Sequence, residues 1–591
     1  MKYASYGGDH DIVAPGRLLR RAARVGRHLL WPAMGALAAT ILATAARLLG
    51  PLAVRGGIDA GIEAGDERAI AVAALVFIAL LAVQYVAQRV SQYAVAWVGE
   101  RFLFELRNRV FGHLMRLDLP FYGRSKTGVL VSRMTSDIEA MTEFVNEGAV
   151  MALTNLLTAV GVGVAMLLLD WQLALEMLAI IGVLVAVSVA FQRQVSIAYE
   201  QVRDRIGRVL ASLQEGITGV RVVQAFTQEH EQSVNFARIN ERYFDANMTA
   251  AKAISWYFPT VSFLRTVGIA AALFFGGRRV VGGDLSLGSL IAFLLYLDWF
   301  FQPIINLANV YNLLQAALAA LGKLFELLDT RPVVNERQGA YDLPADVAGR
   351  LSFEDVTFGY DGDRPVLHAI DLDVAPGERL AVVGETGAGK STIAKLLLRF
   401  YDPTSGSVRV DGHDLADLTF ASRASKIALI PQDDFLFNGT LRDNIRYARP
   451  DATDGDILDV CRAMGIDDWI GSLPEGLDTE IRERGSRFSA GERQLIALAR
   501  AFLAEPSVIV LDEATSNLDP ETEAEVEGAL RVLLAGRTSV VIAHRLRSAE
   551  RSDRVVMIDR GRLIADGTHA ELAVSSPEYR RLIEVWSRGV A

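Results

Sequence analysis

A chain of 591 residues is longer than one hydrophobic core can organise, so at least two domains are expected. Apolar residues make up 51% and the mean hydropathy is +0.26, an excess that lies almost entirely before about residue 325. A formal net charge of −10 excludes a dedicated nucleic-acid binder, which needs basic faces, and the single cysteine, Cys461, excludes an intrachain disulfide or a cysteine-built zinc site and reads as a small buried residue.

The amino terminus, MKYASYGGDHDIVAPGR, is polar and lacks the features of a removable signal peptide. Arg17, Arg20, Arg21, Arg24 and Arg27 are then interleaved with apolar residues at helical spacing, so residues 1–28 read as a cytoplasmic or interfacial segment ending in a helix on the inner membrane surface. A bilayer core needs roughly 20 apolar residues in helical form. Six segments meet or approach that length: 29–54, 69–93, 148–170, 171–192, 254–277 and 285–311. The third has no charge from Gly148 to Leu169, while the last three carry only Glu176, Arg265 and Asp298 respectively. Arg265 and Asp298 are costly within lipid unless they face a cavity or each other, so they either line the route through the bundle or pair structurally.

The loops set the orientation. Arg101, Arg107, Arg109, Arg116, Arg124, Lys126 and Arg133 lie between the second and third segments, and a similar arginine series runs from Arg193 to Arg242 between the fourth and fifth. The first connection is short and acidic, with Asp59, Glu63, Asp66 and Glu67, so the two long loops and both termini are expected in the cytoplasm. Arg278 and Arg279 run against this assignment. Each long loop holds about 55 residues rich in helix formers; as a helical hairpin it would project on the order of 40 Å. A membrane domain is therefore expected over 29–325 and a linker over 326–350, where Pro332 and Pro344 fall in a polar stretch.

From 351 to 591, short β-branched runs alternate with helical patterns, which implies a largely parallel sheet covered on both faces. Arg379–Gly384, Val508–Asp512 and Ser539–His544 read as strands and Lys390–Phe400 as a helix. The expected fold is thus an α-helical six-span transmembrane domain followed by an α/β P-loop nucleotide-binding domain. Gly384, Glu385, Thr386, Gly387, Ala388, Gly389, Lys390, Ser391 and Thr392 follow a strand and open a helix, the context in which a glycine-rich loop wraps backbone amides around phosphates. Lys390 can pair with the phosphates and Ser391 can ligate Mg²⁺. Asp512, at the end of an apolar strand, can hold Mg²⁺ through water, and Glu513 is placed to polarise the attacking water.

With these motifs the chain resembles an ATP-binding cassette (ABC) transporter half-molecule of the exporter type, over nearly its whole length. Phe488-Ser489-Ala490-Gly491-Glu492 resembles the family's signature Leu-Ser-Gly-Gly-Gln, and its Ser489 lies 23 residues before Asp512. Tyr360 matches the adenine-stacking aromatic, Gln432 the Pro-Gln loop, Asp519 the loop after Ser-Asn-Leu, and His544 the residue after the third strand. The resemblance implies that Gln432 approaches Mg²⁺ and the attacking water, that His544 contacts the γ-phosphate, and that Ser489 and Gly491 bind ATP held by another subunit. It also implies that Gly128–Asp137 and Glu215–Phe226 supply coupling helices and that Thr479–Gly485 forms a cross-talk loop.

The implied cofactors are ATP and Mg²⁺. The implied partners are a lipid bilayer, a transported substrate that the sequence does not name, and a second half-transporter subunit, with no nucleic acid. The implied location is the cell membrane, multi-pass, with the nucleotide-binding domain in the cytoplasm. The signature departs from the common form at Phe488, Ala490 and Glu492, and the charge of Glu492 is expected to weaken nucleotide binding modestly. Because this chain's own set of Lys390, Gln432, Asp512, Glu513 and His544 is complete, a heterodimer is favoured over a homodimer. A soluble ATPase acting on nucleic acid is disfavoured by the six spans, and a nucleotide-gated channel by the lack of an added regulatory segment.

Overall fold

The computed structural model describes residues 15–360, 364–432, 435–482, 485, 487–512, 520–543 and 545–588. They divide into two compact units: the residues up to Met115 with Gly128–Asp329, and Arg116–Thr127 with the residues from Thr330 onward.

The first unit is helical. Its elements are α1 (Pro15–Val25), α2 (Leu30–Gly56) and α3 (Glu67–Leu114); after α4 (Leu119–Arg124), which belongs to the second unit, come α5 (Thr127–Ser132), α6 (Ile138–Glu143), α7 (Ala149–Leu169), α8 (Trp171–Thr218), α9 (Val220–Ala225), α10 (Glu229–Val281) and α11 (Leu287–Asp329). In lipid every backbone group must be satisfied internally, which is why the apolar segments are helices. Five helical stretches are long and apolar enough to cross a membrane: Arg27–Glu63, Glu67–Leu114, Thr127–Leu169, Trp171–Thr218 and Glu229–Val281. The sixth expected segment falls in α11, where the described apolar stretch Leu287–Pro303 is shorter.

The spans continue as helices into the long loops: α3 and α8 each run 48 residues and α10 runs 53, about 80 Å at 1.5 Å per residue. Asp170 ends α7 with an extended backbone (φ −160°), and its carboxylate caps α8 by accepting from the Gln172 and Leu173 amides at 3.0 and 2.9 Å. The same carboxylate pairs with Arg279 at 2.7 Å, which accounts for one of the two arginines that ran against the charge rule. The membrane unit's core gathers Leu173, Met177 and Leu184 of α8, Tyr257 of α10 and Phe293, Tyr296 and Phe301 of α11, with Phe191 stacked on Tyr257 at 3.8 Å. In α1, Leu18 is buried and Arg21 forms a forked pair with Asp329, so the basic helix is tied to the end of α11.

The second unit holds the strands β1 (Leu351–Phe358), β2 (Leu367–Val374), β3 (Arg379–Val383), β4 (Ser405–Val410), β5 (His413–Asp414), β6 (Ile427–Ile430), β7 (Gly439–Thr440), β8 (Glu480–Ile481), β9 (Val508–Asp512), β10 (Thr538–Ile542), β11 (Arg554–Asp559) and β12 (Arg562–Gly567). Among the described residues these form a six-stranded sheet in the order β12-β11-β3-β10-β9-β6, parallel except for β12, an antiparallel sheet β2-β1-β4-β5, and the pair β7-β8. Its helices include α12 (Lys390–Leu397), α13 (Phe420–Lys426), α14 (Leu441–Arg446), α15 (Asp454–Met464), α16 (Asp467–Ser472), α17 (Ala490–Leu503) and α18 (Pro520–Leu534).

Two of its hydrophobic clusters frame the site. One joins β1–β4 to α12, and the other packs α14, α15, α17 and α18 against the far face of β6 and β9. Cys461 lies in the second core, fully buried, and burial pushes its thiol up to about 12.

The expected linker differs at its start, because α11 runs without a break to Asp329. The segment Arg116–Thr127 groups with the nucleotide-binding unit. There Asp118 accepts from the Val333 and Val334 amides at 2.5 and 2.8 Å, and Arg124 donates to the Tyr360 carbonyl at 3.0 Å.

Candidate functional site

The register of the six-stranded sheet aligns the carboxyl ends of its parallel strands. Ile542 of β10 lies level with Val382 of β3 on one side and Asp512 of β9 on the other, and Ile430 of β6 pairs with Leu511. The carboxyl ends of four parallel strands therefore bring the glycine-rich loop, Ala543, Asp512 and Gln432 to a common edge, the usual ligand edge of such sheets. Gln432 is exposed two residues past β6, and Asp512 is half-buried. Glu513, Asp519, His544, Glu483 and Arg484 lie outside the described residues.

The glycine-rich loop runs from the end of β3 to the start of α12. Gly384 has φ +149°, and a Cβ there would stand 2.2 Å from the Ile558 carbonyl oxygen; Gly389, at φ +111°, would press 2.7 Å from Leu367. No side chain fits either position, and the resulting bend seats α12 directly behind the loop. Lys390 is 5% exposed and donates from Nζ to the Gly384 and Glu385 carbonyls at 2.8 and 2.9 Å, which holds its ammonium inside the curl of the loop. Glu385, Thr386, Gly387 and Ser391 are exposed, whereas Ala388 and Thr392 are buried. A cation within a backbone turn at a helix N-terminus is a donor set that fits a polyphosphate, and the exposed Ser391 hydroxyl and Asp512 fit a Mg²⁺ ion bound with it.

Tyr360 is fastened to the same helix. Its hydroxyl lies 3.1 Å from Thr392 Oγ1, its ring meets Phe358 and Tyr401 edge-on at 5.0 and 5.1 Å, and the Lys395 ammonium sits 5.2 Å from the ring centre. Burial first, then the neighbouring Tyr360, raises the Tyr401 phenol above its ordinary value.

In the signature segment Glu492 is held by its own neighbours. Ser489 is the N-cap of α17: its hydroxyl accepts from the Glu492 amide at 3.2 Å while Glu492 Oε2 accepts from the Ser489 amide at 2.6 Å, a reciprocal capping box. The other carboxylate oxygen accepts from the Trp469 indole at 2.9 Å. Both oxygens are thus hydrogen-bonded to neutral donors, which fixes the carboxylate in place while leaving it charged. Ser489 and Ala490 are exposed and Gly491 is buried.

In the membrane unit, Arg265 and Asp298 form a direct pair at 2.9 Å. Arg47 is a residue the sequence reading did not single out. It lies inside α2, half-buried, with its guanidinium 4.7 Å from the Trp299 ring centre. The available signal was a cation in the first apolar segment with no acid three or four residues away.

Comparison with known proteins agrees with both units. The sequence model of the ABC transporter transmembrane region matches residues 34–304, and that of the ABC transporter ATP-binding part matches residues 367–516. An ATP-dependent lipid A-core flippase of Syntrophus aciditrophicus is 35% identical over 83% of this chain and 81% of its own. A multidrug efflux ATP-binding/permease protein of Mycobacterium bovis is 36% identical over 97% of this chain, which spans about half (48%) of that relative. A bacterial Atm1-family ABC exporter solved with ATP bound has a TM-score of 0.77 at 29% identity, covering 95% of this chain and 99% of that one. With a membrane unit and an ATP-binding unit on one polypeptide, this chain belongs to the ABC transporter family as a multi-pass membrane ATPase of the exporter type, coupled to transport.

Proposed function

We propose that two half-transporters sandwich two Mg·ATP between their nucleotide-binding units and use closure and hydrolysis to export a substrate across the cell membrane. One observation carries this reading. The glycine-rich loop and α12 are anchored in the first core, while Ser489 caps α17 in the second, so one chain's signature helix packs apart from its own phosphate loop. A signature from another chain can complete the site.

In this arrangement Lys390 and the loop amides hold the phosphates, and Ser391, Gln432 and Asp512 hold Mg²⁺. Glu513 orients and deprotonates the attacking water, His544 meets the γ-phosphate, and Tyr360 stacks on adenine. When bound, Mg²⁺ neutralises charge that builds on the transferred phosphoryl group. The bundle has six spans, with α11 completing the five long ones, and the nucleotide-binding units and both termini lie in the cytoplasm.

The altered signature favours a different chain as partner. The capping role of Glu492 favours the identical chain, because it gives the departure at this position a structural use at the start of the chain's own α17. ATPase assays on this gene product alone in lipid decide between them: cooperative turnover supports the homodimer, and none without a second half-transporter supports the heterodimer. Glu513→Gln is expected to lower turnover by about 10²–10⁴-fold and to trap ATP. Hydrolysis at the parental rate would remove Glu513 from its role. ATP-dependent uptake into inverted vesicles, as opposed to passive flux, separates a pump from a gated channel.

A further inference from the structure

Two polar stripes face each other where the membrane unit is otherwise apolar. On α2, Thr40, Thr44 and Arg47 recur at helical spacing, and on α3, Gln84, Gln88 and Gln92 do the same. With Ser91 and Thr154 they line a cavity of about 60 Å³. Part of this polarity is satisfied internally, since Thr40 Oγ1 lies 2.5 Å from Ser91 Oγ and Thr44 donates to the Thr40 carbonyl at 2.9 Å. Arg47, Gln84, Gln88, Gln92 and Thr154 have no hydrogen-bond or ion-pair partner among the described residues.

No acid is at hand for Arg47. Neither α2 nor α7 contains an Asp or Glu, α3 has none between Glu67 and Glu100, and Asp298, next to Trp299, is already paired with Arg265 at 2.9 Å. The polar part of the cavity wall is therefore one guanidinium, carboxamides and hydroxyls, with no carboxylate. An ionised residue held in a lipid-spanning segment without a partner marks a functional site, and its chemistry selects an anion.

A second space adjoins the first. An apolar groove of about 420 Å³ runs between α1, α2, α3 and α7 past Leu37, Val98, Phe102 and Leu153, and it shares Thr40 and Val150 with the polar cavity. A head pocket that is cationic and a groove that is apolar, joined at Thr40, fit one kind of molecule. We propose that this is the recognition site for the exported substrate and that the substrate is an amphipathic anion: its carboxylate or phosphate head binds Arg47, Gln84 and Gln88, and its chain lies along the groove. This inference rests on the export reading for the word substrate; the binding site itself does not.

The test uses the full chain in nanodiscs of zwitterionic lipid and three probes with one shared chain: oleate, oleyl alcohol and oleylamine. Saturable binding of radiolabelled oleate is expected to be tighter than that of either neutral or cationic analogue. Arg47→Gln is expected to weaken oleate binding by about tenfold or more while leaving oleyl alcohol binding in place, which shows the protein to be folded; Arg47→Lys is expected to restore most of the loss. Equal weakening of oleate and oleyl alcohol, or preference for oleylamine, would overturn the proposal. Phosphate-headed lysophosphatidic acid tests whether the head class extends beyond carboxylates, and competition with oleate at one site is expected. If oleate binds as described yet ATP drives no uptake of it into inverted vesicles, the export reading fails and the anion site stands.

Discussion

The same residue types end in opposite places in the two units. Leu380, Ala381, Val382 and Val383 of β3 are all 0% exposed, enclosed by helices and neighbouring strands. In α3, an equally apolar stretch has none of its most hydrophobic window buried within the protein, and Leu75, Ile78, Val86 and Val90 point outward. The difference lies in the solvent: water drives apolar side chains onto protein, whereas lipid accepts them, so the membrane unit is held by backbone hydrogen bonds, packing and a few polar links. Breaking a close backbone approach is therefore expected to hurt the nucleotide-binding unit most, and breaking a polar link to hurt the membrane unit most.

Gly384→Ala gives the largest expected loss. It forces an alanine to φ +149° and sets its Cβ 2.2 Å from a carbonyl oxygen, so a cost of at least about 3 kcal/mol and loss of ATP binding are expected in melting and nucleotide-binding assays. A variant with parental ATP affinity would mean the loop is not built this way. In the membrane unit, Arg279→Ala strands Asp170, whose side chain is 7% exposed. About 2–3 kcal/mol is expected from the Tm of the membrane unit, below the cost of a fully buried pair because Arg279 is 22% exposed. An unchanged Tm would show that the polar link contributes nothing there.

Smaller effects sharpen the contrast. Glu492→Ala removes the capping box and the Trp469 contact and is expected to cost about 1 kcal/mol in stability, whereas Glu492→Gln is expected to leave ATP affinity within about twofold. A marked gain in affinity for the glutamine variant would restore the charge-repulsion account.

The smallest effect is with pH. Hydrogen bonds from Thr440, Thr453 and Thr568 hold Asp443, Asp456 and Glu571 below the usual carboxylate range, and the Arg350 guanidinium does the same to Asp373. Folded values lower than unfolded ones mean that this stability is fully present above the unfolded pKa of about 4 and is lost as pH falls through the folded values. A Tm for the nucleotide-binding unit that falls below about pH 4, earlier than that of the membrane unit, is the expected result.

The nucleotide site is legible where chemistry fixes residue types at short spacing: the glycines and Lys390 lie within one turn of chain, and Asp512 ends an apolar run. Long helices were legible for a similar reason, since lipid imposes a minimum length. The register that levels Val382, Ile542 and Asp512 could not be read, because strand order is set by packing across more than a hundred residues. The assignment of Arg116–Thr127 to the nucleotide-binding unit was equally hidden, as it depends on Asp118 reaching the Val333 and Val334 amides.

By itself, then, the sequence determined what each part is made for: a lipid-compatible bundle and an ATP-binding domain with a glycine-rich loop, since these follow from local composition and spacing. Only the tertiary structure decided which polar groups are spent and which are free. Glu492 proved to be bound to Ser489 and Trp469 and Arg265 to Asp298, while Arg47 remained without an acid, because partnership depends on distances between helices that no spacing along the chain encodes.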